Sequence, residues 1–177
     1  MTWNLPKTNW QPDEIVTAAD MNEIGQNLIT LRNAVSSIDN IDHASDFTTS
    51  SVIFVNVDPN TDASSNVLGS VFTSSGRPVM VSFVGSITHS SSSDVAVYFD
   101  LLVDGTRIAG DDGLLRVTAR SGEARNASFV YWLDNLAAGE HTVLLRWRVT
   151  SGTATLWAGA GTANADMHPQ FAVHELA

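Results

Sequence analysis

The stretch "DVAVYFDLLV", residues 94–103, decides how this chain folds. Val95, Val97, Phe99, Leu101 and Val103 occupy alternate positions, and a period of two places them on one face of a β-strand. "HTVLLRWRV", residues 141–149, repeats the pattern. There Val143, Leu145, Trp147 and Val149 face one way, with Leu144, Arg146 and Arg148 opposite. Working outward, "SVIFVNV" (51–57), "NVLGSVFT" (66–73), "PVMVSFVGSIT" (78–88), "GLLRVTA" (113–119), "NASFVYWLDNL" (126–136), "TATLWAGA" (153–160) and "QFAVHEL" (170–176) also read as strands. Gly, Asn, Asp and Ser clusters part them. Eight or nine strands with no helix between them predict a mainly β protein, an antiparallel β-sandwich over residues 47–177.

The chain before that sandwich has another period. "ADMNEIGQNLITLRNAVSSI", Ala19 to Ile38, carries Met21, Ile24, Leu28, Leu31, Val35 and Ile38 at alternating steps of three and four. Such steps align the apolar side chains on one narrow stripe of a helix. A helix packed on its own sandwich usually shows a wider apolar face. Here the flanks are polar (Asn22, Glu23, Gln26, Asn27, Thr30, Arg32, Asn33), so the spacing predicts helix against helix. These six apolar residues are therefore expected to form an oligomer interface in a helical stalk over residues 17–46. Thr17 caps the helix, with Asp20 completing a weak capping box. Gly25 costs about 1 kcal/mol relative to alanine, and three heptads are marginal alone, so the head has to associate as well. Residues 1–16 form an extended arm, because Pro6 and Pro12 forbid a helix through them. Trp3 and Trp10 lie in this arm, either folded back on the bundle or serving as docking anchors in another protein.

With 9 basic and 19 acidic residues the net charge is −10, shared equally by residues 1–46 and 47–177. Neither part is a basic patch, so nucleic acid and anionic membrane are poor partners. The absence of cysteine excludes disulfides, thiol catalysis and thiolate metal sites. No signal peptide and no apolar run of membrane-spanning length is visible, so no membrane insertion is expected.

"TAADMNEIGQNLITL" (17–31), preceded by an arm with two tryptophans, resembles the N-terminal segments of tail-fibre and appendage proteins from tailed phages and prophages. The runs "YFDLLVDGTRIAG" (98–110), "NASFVYWLDNLAAGEHTVLLRWRVTSGTATLWAG" (126–159) and "QFAVHEL" (170–176) are similar to the distal β-sandwich heads of the same proteins. Those heads are in turn similar to the tumour-necrosis-factor-like trimeric jelly roll. The resemblance implies a homotrimer on a virion: a docking arm (1–16) inserted through Trp3 and Trp10 into other virion proteins, a coiled-coil stalk, and a jelly-roll head. Its implied role is adhesion to a host-surface glycan or protein, three copies reinforcing a weak contact by avidity. It transfers no ligand-binding residue. A capsid decoration protein and a carbohydrate-binding module stay open as alternatives.

Other motifs are read against plainer explanations. "DPNTDASSN" puts oxygen-bearing side chains at 58, 60, 62, 64 and 66, a spacing that suits calcium. Ala63 stands where glycine is required and no bidentate Glu follows, so an Asx-rich turn is the expected form. "AGDDG" (109–113) is also read as a turn. The histidines 43, 89, 141, 168 and 174 form no HisxxxHis pair, so no metal site is expected. His141 is expected to bond to backbone, and His174 to face a neighbouring subunit. Glu123 and Glu140 could be a glycosidase pair only by assertion, and with no nucleophile elbow, cysteine or phosphate loop the chain reads as a non-enzyme without cofactors. Of the aromatics Phe129, Tyr131, Trp132, Trp147 and Trp157, Trp132 stands out, because Tyr131 and Leu133 point the other way. Arg146 and Arg148 are expected to pair with acids such as Asp100 or Glu175 across a subunit interface.

Overall fold

The computed structural model describes residues 45–158 and 168–176, together with the strand residues 39–40 and Asn22. Two antiparallel sheets of six strands each face one another. The first contains β1 (Asp39–Asn40), β2 (Phe47–Thr49), β5 (Val79–His89), β9 (Arg125–Leu133), β11 (Ala154–Leu156) and β12 (Gln170–Glu175). The second contains β3 (Val55–Asn56), β4 (Gly69–Ser75), β6 (Val95–Val103), β7 (Thr106–Arg107), β8 (Leu115–Ala119) and β10 (Ala138–Val149).

Short strands lie end to end. β12 and β11 share one side of β5, with β1 outside β12 and β2 outside β11, while β9 takes the other side. In the second sheet β4 and β3 share one side of β10, β6 lies on the other, and β8 and β7 share the far side of β6. Counting each end-to-end pair as one position, the chain order is first, eighth, third, sixth in one sheet and second, seventh, fourth, fifth in the other. This is the double Greek key of a jelly roll, in which two sheets share one core.

The alternating residues build that core as their period requires. The β6–β10 register sets Val97 beside Val149, Phe99 beside Trp147, Leu101 beside Leu145 and Val103 beside Val143. All eight are buried, with Phe99 and Trp147 inaccessible. Phe83 of β5 crosses the gap, its ring centroid 5.3 Å from that of Phe99. Each such side chain contributes about 1.5–3 kcal/mol by leaving water. The turn from β6 to β7 needs positive φ at both central residues, and Asp104 (φ 48°) and Gly105 (φ 77°) supply it.

Two strand assignments differ from the sequence reading. Of "SVIFVNV" only Val55–Asn56 pairs. The Ser51 hydroxyl donates to the Ile53 carbonyl at 2.7 Å and also accepts the Ile53 N–H, which bends the chain out of the sheet. The sheet also starts earlier than residue 47, since Asp39 and Asn40 pair with Phe171 and Gln170. The stripe Met21, Ile24, Leu28, Leu31, Val35 and Ile38, and the arm with Trp3 and Trp10, lie outside the described residues. Among the described residues every element longer than one residue is a strand, Asn22 alone being helical, and no helix is long and apolar enough to cross a membrane.

Candidate functional site

The outer face of the second sheet carries a polar cluster where a plain sandwich would show solvent. Asp100, in the middle of β6, points away from the core and is nevertheless fully buried. It is covered because residues 51–54 and 108–114 cross over it. Leu114 N–H donates to the Phe99 carbonyl at 2.7 Å and Ile108 N–H to the Leu101 carbonyl at 3.1 Å. Phe54, freed from the sheet by the Ser51 bend, lies as a lid with the Arg107 guanidinium 3.7 Å from its ring centroid and that of Arg148 at 5.3 Å. Arg148 also stacks 4.1 Å from the centroid of Tyr98. Such stacks contribute on the order of 1 kcal/mol each when partly desolvated.

The Asp100 carboxylate is satisfied within its own chain. Arg107 Nε donates to it at 2.8 Å, the Leu101 N–H at 2.8 Å and the Ala109 N–H at 3.2 Å. Arg146 is its cross-strand neighbour yet donates to the Phe54 carbonyl instead. Burial, and then the nearby Arg107 charge, lower the Arg146 pKa against the opposing pull of Asp100. Arg148 donates to the Asp111 carbonyl at 3.2 Å. Glu175 receives the Ser74 hydroxyl at 2.8 Å and the Ser75 N–H at 2.6 Å. The expectation that Arg146 and Arg148 pair with Asp100 or Glu175 across an interface is thus corrected: Asp100 takes Arg107, from the adjoining hairpin strand, and Glu175 closes a turn.

Beside this cluster the sandwich edge opens into a cleft of about 600 Å³, between the segments that carry β2 and β3. Its polar lining is Ser45, Asp46, Thr48, Asn56, Asp58, Thr61 and Arg146. Asn56 and Arg146 are register partners, and Asn56 Oδ1 and Arg146 Nε are both buried without a hydrogen-bond partner. An unmet buried donor and acceptor each cost roughly 1–3 kcal/mol. One Asp46 oxygen accepts the Ala158 N–H at 2.9 Å. The lining mixes carboxylates, an amide, hydroxyls and a guanidinium over apolar walls from Phe47, Val55, Val57 and Pro59. It can therefore accept and donate hydrogen bonds to a neutral ligand bearing many hydroxyls.

The loop 58–66 is an Asx-rich turn. Asp58, Asn60 and Asp62 each accept the N–H two residues on, at 3.0, 3.1 and 3.0 Å. The Asn66 amide donates to the carbonyls of Asp58 and Asn60 at 3.1 and 2.6 Å. Oxygens spent on the chain's own N–H groups are poorly placed for a cation, and among the described residues no group of three metal-binding side chains occurs. "AGDDG" is likewise a turn, with positive φ at Gly110 and Gly113.

His141 does bond to backbone, through Nε2 and the Ala137 carbonyl at 2.9 Å. It also meets Asp104 at 2.6 Å, a pairing that needs the β6–β7 turn to swing beside β10. The Asp104 hydrogen bond, then the Ala137 carbonyl, raise the His141 pKa. At Asp104 burial pulls upward, but the Thr142 N–H and His141 outweigh it and the pKa falls. His89 is buried, its Nδ1 accepting from the Ser91 N–H at 3.0 Å and its Nε2 2.8 Å from the Ser151 carbonyl. His174 lies half-buried on β12, opposite Met80. Glu123 is held by Arg120 and Arg125 just before β9, whereas Glu140 is exposed on β10, after the far end of β9. Nine strand residues span about 30 Å, so those two carboxylates are not brought together. Trp147 is core, Phe129 and Tyr131 are half-buried against it, Trp157 bonds Thr88 Oγ1 at 3.1 Å, and Trp132 faces out.

No protein-family model and no curated protein sequence matches the chain. Among solved structures, the CBM22-1 xylan-binding domain of a Paenibacillus barcinonensis protein is similar at 11% identity and a TM-score of 0.41, over 79% of this chain and 94% of that one. Infectious bursal disease virus, Gx strain, gives 11% and 0.38, over 80% of this chain and 37% of that one. Dimeric latent PorU from Porphyromonas gingivalis gives 13% and 0.32, over 80% and 14%. All three TM-scores lie below 0.5, and no role passes to this chain from them.

Proposed function

We propose that this chain is a non-enzymatic binding module, the jelly-roll head of a homotrimeric phage-type virion appendage, and that it adheres to a host surface by holding a saccharide in the cleft between the β2 and β3 segments. The supporting observation is the cleft itself: about 600 Å³, with carboxylate, amide, hydroxyl and guanidinium groups arrayed around apolar walls. Sugars present several hydroxyl groups around the ring, each both donor and acceptor, and a mixed lining of this kind can meet both. The helical stripe Met21 to Ile38 holds the three copies together, and Trp3 and Trp10 dock the arm on other virion proteins. Three weak sites on one particle then act by avidity.

Binding of the full chain to arrayed bacterial surface glycans tests this. Wild type retains one glycan class, and Asp46→Asn with Arg146→Met loses it while keeping the fold. No retention on any glycan, together with no adsorption to cells, overturns the adhesive role. It would leave the structural reading, a capsid decoration protein.

A further inference from the structure

β9 ends at Leu133 in the first sheet and β10 begins at Ala138 in the second, so residues 134–137 cross the end of the sandwich. Between that crossing and the β6–β7 hairpin lies a pocket of about 300 Å³, walled by Val103, Ile108 and Leu136. Tyr131, Trp132, Asp134 and Asn135 supply its polar groups. Trp132 is 44% exposed, and Asp134 and Asn135 are exposed. Within the described residues no hydrogen bond engages the side chains of these four, which leaves them available to a ligand. His141 braces the two walls, meeting the Ala137 carbonyl on one and Asp104 on the other. The gap is therefore set before any ligand arrives. β9 and β7 lie at the opposite edge from β2 and β3, three strand spacings or about 14 Å away, so this pocket is separate from the cleft.

We propose that this pocket is a second saccharide site, holding one neutral pyranose ring. Its volume lies at the lower end for ligand pockets, which suits a single ring. A pyranose has apolar C–H faces and a rim of hydroxyls. The aliphatic walls and aromatic rings match the faces, while the carboxylate, amide and phenol offer the rim both acceptors and donors. No Lys or Arg lines the pocket, and Asp134 repels an anion. A cation would be drawn to Asp134, but Tyr131 and Trp132 are neighbours on one strand and project to opposite faces, so their rings form no cage around it. The ligand class is the one read from the cleft, and here it rests on different groups. Two sites on one head let a single glycan chain be held twice.

The isotope-labelled full chain, titrated with methyl glucoside, methyl galactoside and methyl mannoside, tests this by nuclear magnetic resonance. At roughly millimolar concentration, as so small a ligand allows, one sugar is expected to shift the Trp132 indole and Asn135 amide signals. The buried Trp147 indole should stay in place and report an intact fold. Asp134→Ala and Asn135→Ala are each expected to weaken the response about tenfold. Asp46→Asn with Arg146→Met, which disables the cleft, should leave it unchanged. Shifts confined to cleft residues overturn this inference and leave the cleft reading standing. Shifts at Trp132 and Asn135 with none in the cleft do the reverse. Silence at Trp132 and Asn135 with all three sugars, or a response there to choline alone, overturns the second site.

Discussion

At the scale of single residues, the arginine–aspartate cluster shows how much one buried charge demands. Asp100 sits where its strand would otherwise be apolar, and it is tolerable because Arg107 and two N–H groups meet it. Arg107→Met should destabilise the fold by about 3 kcal/mol or more, since it strands a buried charge. In the double variant Asp100→Leu with Arg107→Met the loss should be well below the sum of the single losses, which urea unfolding will show. His141 and Asp104 make a smaller, pH-dependent contribution. The raised His141 pKa means its share is full below the unfolded-state value near 6.5 and fades as pH rises through the folded value. The lowered Asp104 pKa means its share is full above about 3.8 and is lost as pH falls through the folded value. The stability gap between wild type and His141→Gln should therefore peak in mildly acid buffer and close toward alkaline pH. The pair is near the surface, so the gap stays under about 1 kcal/mol. His141 was legible as a backbone-bonded residue, but Asp104 was not, because 37 residues separate them and only the hairpin turn brings them together.

At the scale of elements, period two was a sufficient guide wherever a strand has one wet face. β6 and β10 match their sequence patterns, and Trp132 was identifiable as an outward residue because Leu133 had to point in. The pattern misled at 51–54, where the apolar run Val52, Ile53 and Phe54 reads as strand but the Ser51 hydroxyl competes for the backbone. Phe54 then becomes a lid over arginines, a role that apolar spacing does not encode. The crossing at 108–114 depends on Gly113, whose φ is +70°. A Cβ there would lie 2.6 Å from the Phe99 carbonyl oxygen. Gly113→Ala is therefore expected to cost about 1–3 kcal/mol through backbone strain, with more from the clash. Hydrogen exchange should find the 108–114 amides deprotected first.

At the scale of the whole molecule, the sandwich was legible and its wiring less so. Short strands laid end to end, such as β11 with β12, cannot be told from separate sheet positions by periodicity, and the jelly-roll order came from a resemblance. The cleft was invisible for a related reason: Asp46, Asn56 and Arg146 converge only after the first, second and seventh positions are assembled. Mass in solution for the full chain should be three times that of one subunit, as analytical ultracentrifugation will report. Removing residues 1–38 should lower it toward one, because the expected oligomer contact, Met21 to Ile38, goes with them.

The entry of the chain into the sheet has a mechanical corollary. Tension applied along the N-terminal segment reaches the sandwich first through the two pairs Asp39–Phe171 and Asn40–Gln170, and next through the three pairs of β2 with β11. Those short ladders yield before the long β5–β9 and β6–β10 pairings bear any load. A pull on that segment would thus lengthen the chain at residues 39–49 while the two long-paired sheets behind it keep their register.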